Sequence, residues 1–258
     1  MIDITNDENT LVADKPELKE GETAETKQAK ILIGIPCQEM VNVNFVISLM
    51  HLQRPQGSSQ ITFTQSSILP QSRDTLADMA IKGGYTHILY IDSDMTFPAD
   101  ALYKLFKRNV DICTGLCFAR KGDHNPCIYK RIEYEHPVVG NNANIDVETD
   151  IDREFFEVKA CGMAFCLIKT SVLIDIANRN GGELFRYVHS FGEDLSFCIR
   201  ALKAGYKIWC DTTIPIGHVG EKIYTKQDYI LAMRLKAAQE QAKKLQEEAK
   251  KEEDKESK

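Results

Sequence analysis

The sequence contains no run of eighteen apolar residues, and its first ten residues are polar and acidic. A transmembrane helix needs about twenty mostly apolar residues in succession, and a secretory signal needs a basic region followed by an apolar one. Neither pattern is present. We therefore expect a cytoplasmic protein without a membrane span.

No Cys-x-x-Cys pair occurs among the eight cysteines. Cys113 and Cys117 lack a second pair at the spacing of a zinc ribbon. Most of the cysteines stand within apolar runs, which is typical of reduced thiols in the core of an intracellular protein. Disulfide and structural zinc frameworks are therefore not expected.

An excess of positive charge is also missing, because the net charge is −6. Residues 31–221 alone hold 18 basic and 22 acidic side chains. Bulk electrostatics therefore do not favour a nucleic-acid partner, although net charge cannot report a local basic groove. The apolar fraction of 43% is sufficient for a hydrophobic core.

Composition divides the chain into three parts. Residues 1–28 are acidic and polar and are predicted to form a disordered leader. Residues 29–224 are predicted to be one domain. Residues 225–258 are rich in Ala, Gln, Glu and Lys, and Leu231, Leu235 and Ala238 suggest an apolar stripe, so an exposed charged helix and tail are expected.

Strand and helix patterns alternate within the middle part. Strands are predicted at 31–35, ended by Pro36, and at 61–64, 87–91, 110–116 and 163–168. The apolar face of the first helix is predicted to consist of Val43, Val46, Ile47 and Met50. Ser72 is predicted to cap the second helix, and Pro98 to open the third. The alternation indicates a single α/β domain, a Rossmann-like, mostly parallel sheet with helices on both faces.

Asp92-Ser93-Asp94 directly follows the apolar strand HILYI. Ligands of open α/β sheets bind beyond the carboxyl ends of the strands. If this segment is extended, Asp92 and Asp94 point to the same side and could bind Mg²⁺ or Mn²⁺. The alternative is a polar turn whose aspartates cap the next helix.

Two further candidates lie later in the chain. Glu193 and Asp194 open a predicted helix, where they could cap it or supply a general base. His218, flanked by Gly217 and Gly220 in a loop, could bind a metal, and imidazole suits Mn²⁺ better than Mg²⁺. Simple exposure of this histidine is the alternative.

Six segments, in this order, resemble the GT-A glycosyltransferases: ILIGIPCQE (31–39), SRD (72–74), HILYIDSDM (87–95), GMAF (162–165), GEDLSFCIR with AGY (192–206) and DTTIPIGHVG (211–220). The chain is similar to compact family-2-like members, including those carried by bacteriophages. The resemblance spans about residues 30 to 220 and implies a GT-A fold and transfer of a hexosyl or pentosyl group from a nucleotide sugar.

For the nucleotide sugar, the resemblance implies a base pocket lined by Pro36, Cys37 and Glu39. Arg73 would lie beside the uracil or diphosphate, and the turn at Gly162 and Met163 would border the donor sugar. Asp74 departs from the family, since many relatives carry Asn there, and it brings a negative charge near the expected phosphates.

For the metal, the resemblance implies that Asp94 and His218 are direct ligands and that Asp92, followed by Ser93, meets the ribose or the metal. Asp194 would be the catalytic base, with Glu193 beside it. The expected cofactor is Mn²⁺ (or Mg²⁺), and the expected donor is a UDP-sugar.

The acceptor hydroxyl, the stereochemical outcome and the oligomeric state stay open. A modified DNA base is one possible acceptor, because Arg120-Lys121 and Lys130-Arg131 form a basic cluster in which Phe118, His124 and Tyr129 could stack on a base. A saccharide, a lipid-linked hydroxyl and a protein hydroxyl are the alternatives, and net charge does not favour DNA. The competing functions are a nucleotidyltransferase, although residues 33–38 lack its Gly-rich basic loop, and a non-catalytic nucleotide-sugar-binding module.

Overall fold

A computed structural model describes residues 29–120, 122–134, 145–220 and 223–256. The predicted leader, residues 1–28, lies outside the described residues. The strands are β1 (Ala29–Cys37), β2 (Gly57–Gln65), β3 (His87–Ile91), β4 (Met95–Thr96), β5 (Ile112–Gly115), β6 (Ile128–Ile132), β7 (Ile145–Val147), β8 (Phe155–Val158), β9 (Ala160–Cys161), β10 (Phe165–Lys169), β11 (Ile208–Asp211), β12 (Gly217–Val219) and β13 (Ile223–Tyr224). The helices are α1 (Val43–His51), α2 (Leu69–Lys82), α3 (Ala101–Lys107), α4 (Thr170–Arg179), α5 (Glu193–Lys203) and α6 (Lys226–Glu256).

The main sheet has seven strands in the order β2-β1-β3-β10-β5-β11-β8. Five of them run in one direction, while β10 and β8 run antiparallel to their neighbours. The sheet is therefore mixed, and the prediction of a mostly parallel sheet was too simple. The chain enters β10 from the turn at 162–164, which lies at the carboxyl end of β3 because Asp92 N–H donates to Ala164 O. A strand that enters from this end has to run antiparallel to β3.

Helices cover both faces of this sheet, as predicted. In β3, Ile88 and Tyr90 pack against α2, α4 and α5, whereas Leu89 and Ile91 pack against α1 and α3. Alternate side chains of a strand point to opposite faces, so the continuous apolar run of β3 reflects burial on both sides. Two three-stranded sheets, β13-β12-β4 and β7-β6-β9, complete the α/β fold.

Several predicted element boundaries differ from the structure, and two of them have a local explanation. β1 continues through Pro36, because its pairing with β3 ends at Gly34 and the missing N–H of Pro36 interrupts no bond on that side. α2 begins at Leu69 with Pro70 in its first turn, so Ser72 is a buried helical residue instead of a cap. The third helix begins at Ala101, three residues after Pro98.

The predicted apolar face of α1 was wrong at three of its four residues, since only Val46 is partly buried against the core. Val43, Ile47 and Met50 are 69%, 51% and 79% exposed, whereas Phe45 and Leu49 are buried in the core. The helix is apolar on both sides, so its periodicity could not tell which side faces the sheet.

The long helix α6 follows the sheet. Its first turns contact the domain through Tyr229, which is buried and lies against Phe118 with ring centroids 5.7 Å apart. Leu231 and Leu235 are exposed. Across the described part of the chain, every helix is too short or too polar to cross a bilayer.

Candidate functional site

The candidate residues gather at the carboxyl ends of β1 and β3, which are parallel neighbours. Cys37 ends β1, and Asp92 directly follows β3. Pro36 is buried, Cys37 is half-buried and Glu39 is exposed. Burial raises the pKa of the Cys37 thiol. The segment from Pro36 to Glu39 therefore borders the same edge of the sheet as the aspartates.

The segment after β3 is a turn and not an extended strand. Met95 N–H donates to Asp92 O over 3.2 Å, and Ser93 and Asp94 lie inside this turn. The prediction that Asp92 and Asp94 share one side by strand alternation was therefore based on the wrong conformation. The two carboxylates contact different partners.

Asp92 belongs to a partly buried ion-pair cluster around the buried Arg73. Arg73 Nη2 donates to Asp92 Oδ1 at 2.9 Å, and its Nε donates to Glu193 Oε1 at 3.4 Å. Burial alone would lower the pKa of Arg73, but the charges of Asp92, Glu193 and Asp194 outweigh it and raise the pKa. The guanidinium is thus firmly charged and cross-links two elements, the β3 turn and the start of α5.

The position of Arg73 differs from the expected contact with uracil or diphosphate. Its side chain is only 2% exposed, and Tyr90 Oη–H donates to its backbone carbonyl. Arg73 Nη1 is buried and has no hydrogen-bond partner among the described residues. Arg73 lies beneath the site, where it positions Asp92 and Glu193.

Asp94 faces a different set of groups. Its Oδ2 lies 3.4 Å from His218 Nε2 and 3.0 Å from Arg120 Nη1. Burial opposes ionisation of Asp94, but the hydrogen bond and charge of His218 and the charge of Arg120 outweigh it, so the pKa lies below the ordinary 3.8. His218 Nδ1 donates to the carbonyl oxygen of Phe118 at 2.8 Å. Because a carbonyl only accepts, Nδ1 carries a proton and Nε2 is the ring nitrogen that faces Asp94.

Strand pairing brings His218 to Asp94. β12 pairs with β4 so that His218 lies opposite Met95, and Val219 N–H donates to Asp94 O at 2.7 Å. Gly217 makes this close approach possible, since a Cβ there would lie 2.5 Å from Thr96 Oγ1. The glycine beside His218 is thus required by packing.

The residues around Asp94 fit a divalent cation as a partial shell. A carboxylate oxygen and an imidazole nitrogen with its proton on the far side are suitable ligands for Mn²⁺, and substrate oxygens can complete the shell. Asp92 has Oδ1 committed to Arg73. Within the described ranges, no three His, Cys, Asp or Glu side chains converge as one metal-binding group. Asp94 and His218 are therefore the two candidate donors, and Arg120 Nη1 lies 3.0 Å from the same Asp94 oxygen.

Asp194 is a carboxyl group whose pKa is raised well above its ordinary value. Burial and the charge of Glu193 raise its pKa from 3.8 to about 6, although the N–H of Leu195 opposes this by donating to Oδ1 at 2.7 Å. Its other oxygen, Oδ2, faces Gly162, where an added Cβ would lie 3.7 Å away. Asp194 therefore presents one oxygen toward the turn that was predicted to border the donor sugar.

Not every predicted residue lies on the surface of the site. Met163 is buried in the core, so its side chain packs beneath the 162–165 turn and only its backbone can border a ligand. Asp74 Oδ1 accepts from Phe185 N–H at 3.1 Å, so this carboxylate contacts a loop and not the Arg73 cluster. Ser93 is half-buried in the turn.

Both arginines of the predicted basic cluster are engaged in ion pairs, whereas Lys130 is exposed. Arg120 contacts Asp94, Arg131 is paired with Asp146 and Glu133, and Phe118 is buried. Lys121 lies outside the described residues. Sequence reasoning had assigned Arg120 only to this cluster and missed its place beside Asp94. No local signal could have found it, because the contact depends on how the loop folds back.

No protein-family model matches the chain, and no curated protein matches its sequence. Among solved structures, the crystal structure of A197 from STIV is similar, with a TM-score of 0.51 and 16% sequence identity. The match covers 75% of this chain and 86% of that one. At this identity the similarity concerns the α/β fold alone.

Proposed function

We propose that this chain is a metal-dependent glycosyltransferase that moves a sugar from a nucleotide sugar to a hydroxyl acceptor. The observation that supports this most is the pairing of Asp94 with His218 at the carboxyl edge of the sheet. Asp194, with its raised pKa, adjoins the Arg73 ion-pair cluster that also holds Asp92. A diphosphate leaving group needs its charge neutralised, and an acceptor hydroxyl needs a base.

In this proposal Asp94 and His218 hold Mn²⁺ (or Mg²⁺), which supplies charge neutralisation for the departing diphosphate. The residues from Pro36 to Glu39 contact the base of a UDP-sugar. Arg73 keeps Asp92 in place through their 2.9 Å ion pair, and Asp92 meets the ribose. The turn at Gly162 borders the sugar.

The acceptor side is assigned to Asp194. Its Oδ2 takes the proton of the acceptor hydroxyl as the bond to the anomeric carbon forms, and the bond from that carbon to the diphosphate oxygen breaks. Glu193 forms an ion pair with Arg73. Its negative charge helps to keep the pKa of Asp194 raised. If Asp194 acts from the face opposite the diphosphate, the anomeric configuration inverts.

A saccharide or other small hydroxyl compound is the acceptor class that we favour over DNA. Arg131 already contacts the carboxylates of Asp146 and Glu133, and Phe118 is buried. DNA binding through phosphate contacts would fall steeply with salt. Retention on duplex DNA at low salt that is lost at physiological salt would overturn this choice.

A donor-cleavage assay tests the proposal. The protein is incubated with a panel of nucleotide sugars in Mn²⁺, Mg²⁺ or EDTA, and the released nucleoside diphosphate is measured. We expect release from a UDP-sugar with Mn²⁺, its loss in EDTA and its loss in Asp94→Asn. Asp78→Asn, the same change at an exposed ion pair with Lys82, is the matched control and should retain activity.

The alternatives give different products in this assay. Pyrophosphate release from a nucleoside triphosphate would indicate a nucleotidyltransferase. Binding of a nucleotide sugar without turnover under any acceptor tested would indicate a non-catalytic binding module. Absence of both binding and cleavage for every donor would overturn the proposed function.

A further inference from the structure

Arg120 occupies the carboxylate oxygen that a divalent cation would need. Its Nη1 lies 3.0 Å from Asp94 Oδ2 and donates to Val219 O at 3.1 Å. This is the oxygen that also faces His218 Nε2. A guanidinium and a divalent cation repel each other. Arg120 and the cation therefore compete for Asp94 Oδ2, and each weakens the binding of the other to this oxygen.

The backbone that carries Arg120 is held on both sides. Ala119 N–H donates to Asn125 O, and Cys127 N–H donates to Cys117 O at 2.8 Å. Lys236 of α6 pairs with Asp123 at 2.9 Å. The described residues Ala119, Asp123 and Cys127 of this loop are therefore held by contacts with other parts of the chain.

The side chain of Arg120 has room to move. It is 46% exposed, and it lies against Gly220, where a Cβ would be 3.1 Å from Arg120 Cδ. Long charged side chains at such exposure change rotamer readily. A guanidinium also binds phosphate oxygens with paired hydrogen bonds, which makes a diphosphate a suitable second partner.

We propose that Arg120 is an exchange residue, which neutralises Asp94 in the free protein and moves onto the diphosphate when nucleotide and cation bind. This inference rests on the proposed function. It implies that cation and nucleotide help each other to bind. The cation alone has to displace Arg120 from Asp94, and the nucleotide alone has to draw Arg120 away from a carboxylate left without a counter-charge.

Binding measurements on the full chain test the exchange without relying on activity. Mn²⁺ binding is measured alone and with UDP, and UDP binding is measured with and without Mn²⁺, by calorimetry. Arg120→Met should bind Mn²⁺ alone ~10-fold more tightly, since a charge-assisted contact no longer competes. It should bind UDP in the presence of Mn²⁺ ~10-fold more weakly, because the phosphate contact is lost.

Two further variants make the result specific. Arg120→Lys keeps the charge and should give intermediate values for both affinities. Arg179→Met removes an arginine from the exposed pair with Asp175 on α4, and it should leave both affinities at the wild-type level.

The outcomes separate this inference from the function on which it rests. If the wild-type protein binds neither Mn²⁺ nor UDP, the proposed function fails and the exchange fails with it. If the wild type binds both but Arg120→Met matches Arg179→Met, only the exchange is overturned. Weakening of Mn²⁺ and UDP binding together in Arg120→Met would also overturn it, since Arg120 would then be an ordinary supporting residue.

Discussion

Asp194 is a residue whose surroundings set its chemistry. Burial and the neighbouring Glu193 carboxylate raise its pKa to about 6. A base with a pKa near the working pH is ionised often enough to accept a proton and basic enough to hold it. Leu195 N–H donates to Oδ1, and Oδ2 is the oxygen that we assign to the substrate.

We predict that transfer activity follows the ionisation of Asp194. Below a pH of about 6 the carboxyl is protonated, so kcat/KM should fall about tenfold for each further pH unit. Asp194→Asn should bind donor normally while transfer drops by about 10² to 10⁴-fold. The pH profile and single-turnover transfer of both proteins check this, with Asp175→Asn as a control on α4. Near wild-type transfer by Asp194→Asn would move the base elsewhere.

The same pKa predicts an effect on stability. The folded pKa of about 6 is above the ordinary 3.8, so the folded state binds the proton more tightly than the unfolded state. Stability from this group is present below a pH of about 4 and is lost as the pH rises to about 6. Asp194→Asn should therefore be more stable than wild type by about 1–3 kcal/mol at pH 7.5. Urea unfolding at pH 7.5 and at pH 4 measures it, and a gain that is equal at both values would contradict this explanation.

At the scale of elements, the pairing of β4 with β12 is what joins Asp94 to His218. These two residues are far apart in the chain, and no helix or loop alone could bring them together. The pairing leaves room only for a glycine at position 217, because a side chain would meet both Thr96 and Ile223. The geometry of Asp94 and His218 therefore depends on the separate three-stranded sheet β13-β12-β4, not on the seven-stranded one.

We predict that Gly217→Ala damages the metal site more than the fold. An added Cβ would lie 2.5 Å from Thr96 Oγ1 and 2.6 Å from Ile223 Cγ2, so the strands have to separate. Mn²⁺-dependent UDP binding should fall at least ~10-fold while the far-ultraviolet circular dichroism stays unchanged, as expected for a displaced ligand. Gly205→Ala, which strains a left-handed position at the other end of α5 from Asp194, controls for general destabilisation. Equal binding by both variants would contradict the prediction.

At the scale of the whole molecule, the first turns of α6 contact the domain, whereas the following part of the helix is exposed to solvent. Tyr229 lies against Phe118, whose carbonyl orients His218. Lys236 pairs with Asp123 in the loop of Arg120. Beyond that point, through residue 247, the helix is exposed. The first three turns of α6 thus support the site, although the resemblance to glycosyltransferases does not reach them.

We predict that a chain of residues 29–239 unfolds cooperatively, with a Tm within a few degrees of the full-length protein. A chain of residues 29–224 loses Tyr229 and Lys236, and its Tm should fall by roughly 5–10 °C, since a buried aromatic is removed. Calorimetric melts of the three chains check this. Failure of residues 29–239 to give a cooperative melt would contradict the boundary at 239, and equal Tm values for the two shortened chains would contradict the role given to Tyr229.

The sequence by itself was sufficient for the class of fold and for the elements with strong patterns. β3 was predicted at its observed bounds. A strand that is buried on both faces is a continuous apolar run, and such a run can be recognised without knowing which strands lie beside it. The α5 start at Glu193 and its end before Gly205 also follow from local signals, since acidic residues and a left-handed glycine mark helix ends. The face of α1 did not follow, because both of its sides are apolar.

Only the tertiary structure decided which candidate residues meet. Local sequence could nominate Asp92, Asp94, Asp194 and His218 as polar groups at the ends of strands and helices. It could not show that Asp92 turns to Arg73 while Asp94 turns to His218, or that Arg120 reaches Asp94. Those contacts join segments separated by up to about half the chain. They depend on the strand order, on the antiparallel direction of β10 and on the pairing of β4 with β12. These features arise from the packing of the whole chain, so no short segment of the sequence predicts them.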